Sequence, residues 1–310
     1  MKTYYPYLRA KQNELFALRE LAKRIASSKV FPIIEPVKIN PTTTNSFDQF
    51  AGAGMPFVLV TNPTVGELAG QEEIIRDQIV RSVLWIYDNY LPARIVGRRT
   101  TVSELEEFEK NYEGKLLAVI YRDEPTSIDT RNRLLTIDQY YNHIFIGNRI
   151  PRDFRNEFLP VRQVLLDDRF HRCERNADYP MREFFSDMNT DAGNIEGLSW
   201  GDFSIVGDNF AEKGGAAHAV ALHHVHYTQP GRALEISHFI SDRTETTADV
   251  SGKVVEALQK LVRALDYMEP PDTEACNEYR ELADEGVSRG LGYMKKLAIK
   301  QHLEVLLQAS

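Results

Sequence analysis

Six short apolar runs in this chain each end in residues able to do chemistry. They are VFPIIEP (Val30 to Pro36), FVLVTNP (Phe57 to Pro63), ARIVGRR (Ala93 to Arg99), LLAVIYRDEP (Leu116 to Pro125), HIFIGNR (His143 to Arg149) and RQVLLDDR (Arg162 to Arg169). The polar ends are Glu35, Asn62, Arg98, Arg99, Arg122, Asp123, Asn148, Arg149, Asp167 and Asp168. Arginine offers a planar fork that grips phosphate or carboxylate through two hydrogen bonds. Asn62, Arg98, Arg99, Arg122, Asn148 and Arg149 are therefore candidate ligands for a phosphorylated or carboxylated molecule. Glu35, Asp123 and Asp167 are the candidate catalytic carboxylates. Glu35 could act as a general base, or could hold a divalent metal together with Asp123 and Asp167. Pro36 follows Glu35 and forces an extended backbone there, so the direction of the carboxylate is defined. A structural role is the alternative. Strands end in polar residues because the chain leaves the core, and Glu35 could simply pair with Arg9.

Histidines form a second group. Five of the eight lie from His218 to His238. On an extended strand His224 and His226 share a face, with His223 on the other. That spacing can place two imidazoles on one zinc or manganese ion, with Asp202, Asp208, Glu212 or His238 completing the shell. The same residues could equally be half-buried and hydrogen-bonded to backbone or carboxylates. Gly214 and Gly215 precede this strand and read as a tight turn into it. They match neither a Walker A loop nor a dinucleotide fingerprint. Tyr4, Tyr5 and Tyr7 flank Pro6 and suit either an interaction surface or a cap on the core. No G-x-S-x-G elbow or CxxC pair is present.

The elements that must position these residues follow from the same runs. Short apolar runs separated by helical stretches are the pattern of parallel strands buried on both faces, and ligands in such folds sit at the carboxyl ends of the strands. Helices are expected at Glu14 to Ile25, Glu72 to Tyr90, Ser103 to Tyr112, with a capping box from Ser103 to Glu106, and Ile128 to Asp138. Asn40 to Gly54 reads as loop-rich with one short helix around Phe47, and Arg182 to Met188 as a short helix. After Trp200 the character changes. Ala216 to Tyr227 and Ala233 to Ser241 read as two strands of a hairpin around TQPGR, followed by a helix over Val250 to Tyr267. The expected fold is a TIM-like (β/α) barrel over residues 1–269, with an irregular and partly antiparallel last quarter, and a C-terminal helical appendage over 270–310. A doubly wound open sheet is the alternative.

A net charge of −8 argues against a whole-surface affinity for nucleic acid. The two cysteines suggest no disulfide framework, which fits a reducing cytoplasm. Charges interrupt the N-terminal apolar stretches, so no signal peptide is read there, and no run approaches the ~20 apolar residues of a membrane span.

The segments YYPYLRAKQNELFALREL, FPIIEPVK, GDFSIVGDNFAEKGGAAHAVALHHVHY and HFISD resemble the beta protein family of bacterial and phage proteins. The resemblance runs from near Tyr4 to about Lys260. It implies a cytoplasmic protein of bacterial or phage origin, placed in mobile or antiviral defence loci. It carries no catalytic residues over. Three functions follow as expectations: a barrel mouth that binds a small anionic ligand, a non-catalytic scaffold acting through a protein partner, and a metal-dependent hydrolase on the His218 to His226 strand.

Overall fold

The computed structural model describes residues 2–147, 149–190, 197–212, 218–228, 233–270 and 272–308. The chain forms two compact units, Met1–Leu15 with Ala22–Asp168 and Ile195–Phe203, and Phe16–Leu21 with Arg169–Asn194 and Ser204–Ser310.

The first unit is the barrel. Its strands are β1 (Tyr7–Leu8), β2 (Ile33–Ile34), β3 (Phe57–Val60), β4 (Tyr90–Val96), β5 (Leu117–Tyr121), β6 (Tyr140–Ile146), β7 (Gln163–Asp167) and β9 (Ser199–Asp202). They make one eight-stranded sheet in the order β1-β2-β3-β4-β5-β6-β7-β9, every pair parallel. A parallel bridge from Tyr4 to Trp200 brings the two sheet ends together, and the Tyr5 N–H donates to the Trp200 carbonyl at 2.8 Å. The sheet is thus a nearly closed TIM-like α/β barrel, not a doubly wound open sheet. Gly201 is what permits this closure. A Cβ there would lie 2.0 Å from the Tyr5 carbonyl oxygen and 2.7 Å from Leu166, so any side chain would wedge β9 away from β1.

The six runs supply β2 to β7. The two missing strands come from the tyrosine segment and from the residues around Trp200. The tyrosines therefore line the barrel: Tyr5 and Tyr7 belong to the interior cluster with Ile33, Val60, Ile95, Ile120, Ile146, Leu166 and Phe203. A second layer, with Leu105, Phe108, Leu134 and Phe154, packs helices on the outer faces of β5 and β6.

Helices α1 (Gln12–Ala26), α4 (Val102–Asn111) and α5 (Ile128–Thr136) lie where periodicity places them. The capping box that starts α4 is Thr101 with Glu104, two residues before the expected one. The short helix expected around Phe47 is longer than its sequence suggests: α2 (Pro41–Gly52) takes up most of Asn40 to Gly54, started by the Asn40 side chain accepting from Thr43 N–H at 3.0 Å and by Pro41 in the first turn. The long helix expected at Glu72 to Tyr90 is broken. After α3 (Glu72–Ile75) the chain widens into a π-helical stretch, Arg76–Arg81, and β4 begins at Tyr90. The wider turns shift the apolar register, leaving Trp85 and Ile86 73% and 71% exposed. The last short helix of this unit is α6 (Arg152–Arg155).

The second unit holds an antiparallel sheet, β10 (Ala221–Tyr227), β11 (Leu234–Ile240) and β8 (Arg182–Ser186), in that order. The segment read as a helix at Arg182 is the strand β8, because β11 offers it a pairing edge. Helices α7 (Val250–Leu265), α8 (Glu274–Glu285) and α9 (Leu291–Gln308) pack with this sheet around Val254, Leu258, Leu261, Tyr279 and Leu297. The expected turn TQPGR falls largely outside the described residues, as do Gly214 and Gly215. Within the described residues no helix is long and apolar enough to cross a membrane.

Candidate functional site

Parallel strands put every carboxyl end on one side of the barrel. Which side chains enter the mouth is then decided by two-residue alternation. Tyr5 and Tyr7 face inward, so Arg9 is next on that face; Ile33 leads to Glu35, Val58 and Val60 to Asn62, Ala118 and Ile120 to Arg122, and Val164 and Leu166 to Asp168. Asp123 and Asp167 fall on the opposite parity.

Glu35 is fully buried and both of its oxygens accept hydrogen bonds. Oε2 accepts from the Tyr7 hydroxyl at 2.8 Å and stands 3.3 Å from Arg9 Nε, while Oε1 accepts from the Thr64 N–H at 2.9 Å and its hydroxyl at 3.3 Å. Thr64 belongs to the loop after β3, which is anchored at Gly66. A Cβ on Gly66 would come within 2.6 Å of the Val37 carbonyl oxygen, and its φ of 77° suits glycine. Leu68 N–H then donates to Val37 O at 3.2 Å. Arg9 lies over the rings of Tyr7 and Phe203, 5.6 and 5.8 Å from their centroids. Its N–H donates to buried Glu14 at 2.6 Å, and the next residue, Ala10, holds φ at 49°, a conformation that costs energy without glycine.

Burial pushes the Tyr7 phenol well above its usual range, and the Glu35 charge adds to this; the positive charges of Arg122 and Arg9 oppose it. Arg122 follows β5 and Arg9 follows β1, four strands apart in an eight-stranded ring. Two guanidinium groups from opposite sides of the mouth thus act on one buried hydroxyl.

The other candidates are placed differently. Asn62 is tied to the backbone of β4, accepting from Ile95 N–H at 2.7 Å and donating to Ile95 O at 2.9 Å. It extends the β3–β4 ladder past the strand end. Arg98 and Asp123 form an exposed pair at 3.6 Å, and Arg99 and Arg149 are exposed. Asp167 sits in register with Asp202, whose carboxylate accepts from the Tyr4 hydroxyl at 2.7 Å. A Cβ on Gly147 would lie 2.4 Å from Asp167 Oδ1, so the absence of a side chain there makes room for that carboxylate. Asn148 lies outside the described residues. The expected trio Glu35, Asp123 and Asp167 therefore does not share one face of the strands. Glu35 instead joins Tyr7, Arg9 and Thr64. The Glu35–Arg9 pair was readable as an alternative. Thr64 had no sequence signal, and Asp168 rather than Asp167 follows once the inner face of β7 is known.

No protein-family model, curated protein or solved structure matches this chain. The resemblance to the beta protein family rests on the quoted segments.

In the second unit His224 and His226 do share a face, with rings 6.2 Å apart and near parallel. His226 is engaged with Ser237 Oγ at 2.9 Å, and His224 stands 3.5 Å from the Gln301 amide. Gln301 also grips the β10 edge through both the N–H and carbonyl of Val225. Burial holds His224 down to about 3, and lowers His226 as well. His238, one of the possible third ligands, lies across from His223 instead. Among the described residues no group of three His, Cys, Asp or Glu side chains is arranged to hold a metal ion.

Proposed function

We propose that the carboxyl end of the barrel binds a small anionic ligand, such as a phosphorylated molecule, between Arg122 and Arg9. The observation that supports this is the inward parity of Arg9 after β1 and of Arg122 after β5, with Arg9 held 5.6 Å from the centroid of the buried Tyr7 ring. Glu35 takes a holding role here: with both oxygens occupied it fixes Arg9, Tyr7 and the Thr64 loop, and does not serve as the proton acceptor. Phosphate fits the site because arginine matches its geometry bidentately.

The test is a thermal-shift series with inorganic phosphate, pyrophosphate, a nucleoside triphosphate and a sugar phosphate at low ionic strength. At least one should raise the melting temperature of the wild type and fail to raise that of Arg122→Ala. If all four leave the wild type unmoved, the proposal loses its support.

A second reading, a scaffold acting through a protein partner, draws on a different observation. Trp85 and Ile86 stand side by side on the surface of the barrel unit, both mostly exposed. The resemblance to the beta protein family would set either role in phage–host conflict.

A further inference from the structure

The outer face of the β10–β11–β8 sheet carries a chain of hydrogen-bonded titratable groups that the barrel mouth does not use. His223 Nδ1 lies 2.7 Å from His238 Nδ1, His238 Nε2 lies 3.1 Å from Glu183 Oε1, and Glu183 Oε2 lies 3.1 Å from His171 Nδ1. The three strands supply one member each, with His223 and His238 directly opposed in register.

The protons in this chain can be assigned from its far end. A carboxylate only accepts, so His238 donates Nε2–H to Glu183. His238 Nδ1 is then an acceptor, and His223 must donate Nδ1–H to it. That leaves Nε2 of His223 with a lone pair, and among the described residues no hydrogen bond engages that atom. His223 itself is half-buried. The rings of Phe170 and Tyr179 stand near-perpendicular to it, with centroids 4.9 and 4.8 Å away, giving it apolar walls. Burial, then the His238 and Lys295 charges, keep His223 neutral at pH 7, pushing it down to about 3. A carboxylate that orients one imidazole, which in turn orients the reacting group, is the arrangement that activates nucleophiles.

We propose that His223 Nε2 is the nucleophile of a second site, one that accepts an acyl group from a small aryl ester whose apolar body lies against Phe170 and Tyr179. The Nε2 lone pair forms a bond to the ester carbonyl carbon, the carbon–oxygen bond to the aryl group breaks, and the aryl oxide leaves. As positive charge grows on the acylated ring, its Nδ1 proton passes to His238 Nδ1, and the Glu183 carboxylate stabilises the resulting imidazolium. Water then adds to the acyl carbon and loses one proton to solvent, the carbon–nitrogen bond breaks, the carboxylic acid leaves, and the proton held by His238 returns to His223 Nδ1.

The full chain is mixed with p-nitrophenyl acetate, release of p-nitrophenolate is followed, and the acetyl adduct is mapped by mass spectrometry of the quenched protein. The adduct is expected on His223. Glu183→Gln should slow its formation on the order of 100-fold, the low end of what a positioned proton-transfer partner contributes, while His218→Gln leaves it unchanged. Adducts confined to the exposed His171 and His218 would overturn the proposal, as would a Glu183→Gln protein that acylates at the wild-type rate. The mapping on wild type decides the matter even where a variant fails to fold.

Discussion

Two arcs of the barrel rim carry the same kinds of residue. On the arc from β1 to β3, Arg9 and Glu35 stand 3.3 Å apart with 5% and 0% of their side chains exposed. On the arc from β4 to β5, Arg98 and Asp123 stand 3.6 Å apart with 75% and 48% exposed. The distances are similar, and the physics differs. Water screens the second pair, and such pairs contribute about 0–1 kcal/mol. The first pair is removed from water, so each partner depends on the other and on the hydrogen bonds from Tyr7 and Thr64. Position relative to the strand's inner face, rather than residue type, separates an organised site from a solvated rim.

The largest difference should appear when one partner of each pair is removed. Glu35→Ala should cost about 3–5 kcal/mol in chemical denaturation, because Arg9 is left buried without its counter-charge. A loss below about 1 kcal/mol would place the two arcs in the same class. The next effect concerns the closure that brings β1 to the mouth. Gly201→Ala should destabilise by about 1–3 kcal/mol or more, since its Cβ meets a backbone carbonyl. Gly147→Ala should cost less, because the Asp167 carboxylate can swing aside.

Acid offers a third way to sharpen the contrast. Burial holds His143, in the outer layer of the barrel, down to about 3. Above the unfolded value of about 6.5 both states are neutral there and the group has no effect. As pH falls below 6.5 the unfolded chain takes up a proton that the folded chain refuses. Stability should then drop by up to about 1.4 kcal/mol per pH unit from this one residue. Denaturation midpoints at pH 7 and 5.5 should show His143→Gln losing less stability than wild type over that interval; equal losses would exclude His143 as a source. The smallest effect belongs to the exposed arc. Arg98→Ala should stay within about 0.5 kcal/mol of wild type in the same denaturation assay.

Much of the barrel is legible in the chain because its strands are apolar on both faces and end in charge. That same property hides the parity. In VLLDD the run Val164-Leu165-Leu166 is apolar throughout, so nothing in it says whether Asp167 or Asp168 turns inward. Closure is what sets the inner face, through Gly201 against Tyr5, a contact between residues far apart in sequence. The tyrosine segment escaped as a strand because β1 is two residues long and interrupted by Pro6 upstream. The Glu72 helix departs from its sequence pattern for a local reason: Ile75, Ile79 and Leu84 of the stripe stay buried, but the regular helix gives way to π-helical turns at Arg76–Arg81, and Trp85 and Ile86 beyond them are exposed. The alternation of the histidine strand is legible, but Glu183, which meets His238 of its neighbour β11, lies on β8, a segment that reads as helical.

The central claim is that the buried arc and Arg122, not the exposed arc, form the ligand site. Calorimetric titration with pyrophosphate, carried out side by side on wild type, Arg122→Ala and Arg98→Ala, tests it most directly. The account predicts measurable binding to wild type and Arg98→Ala and its loss in Arg122→Ala. Equal binding by all three proteins, or loss only in Arg98→Ala, would contradict it.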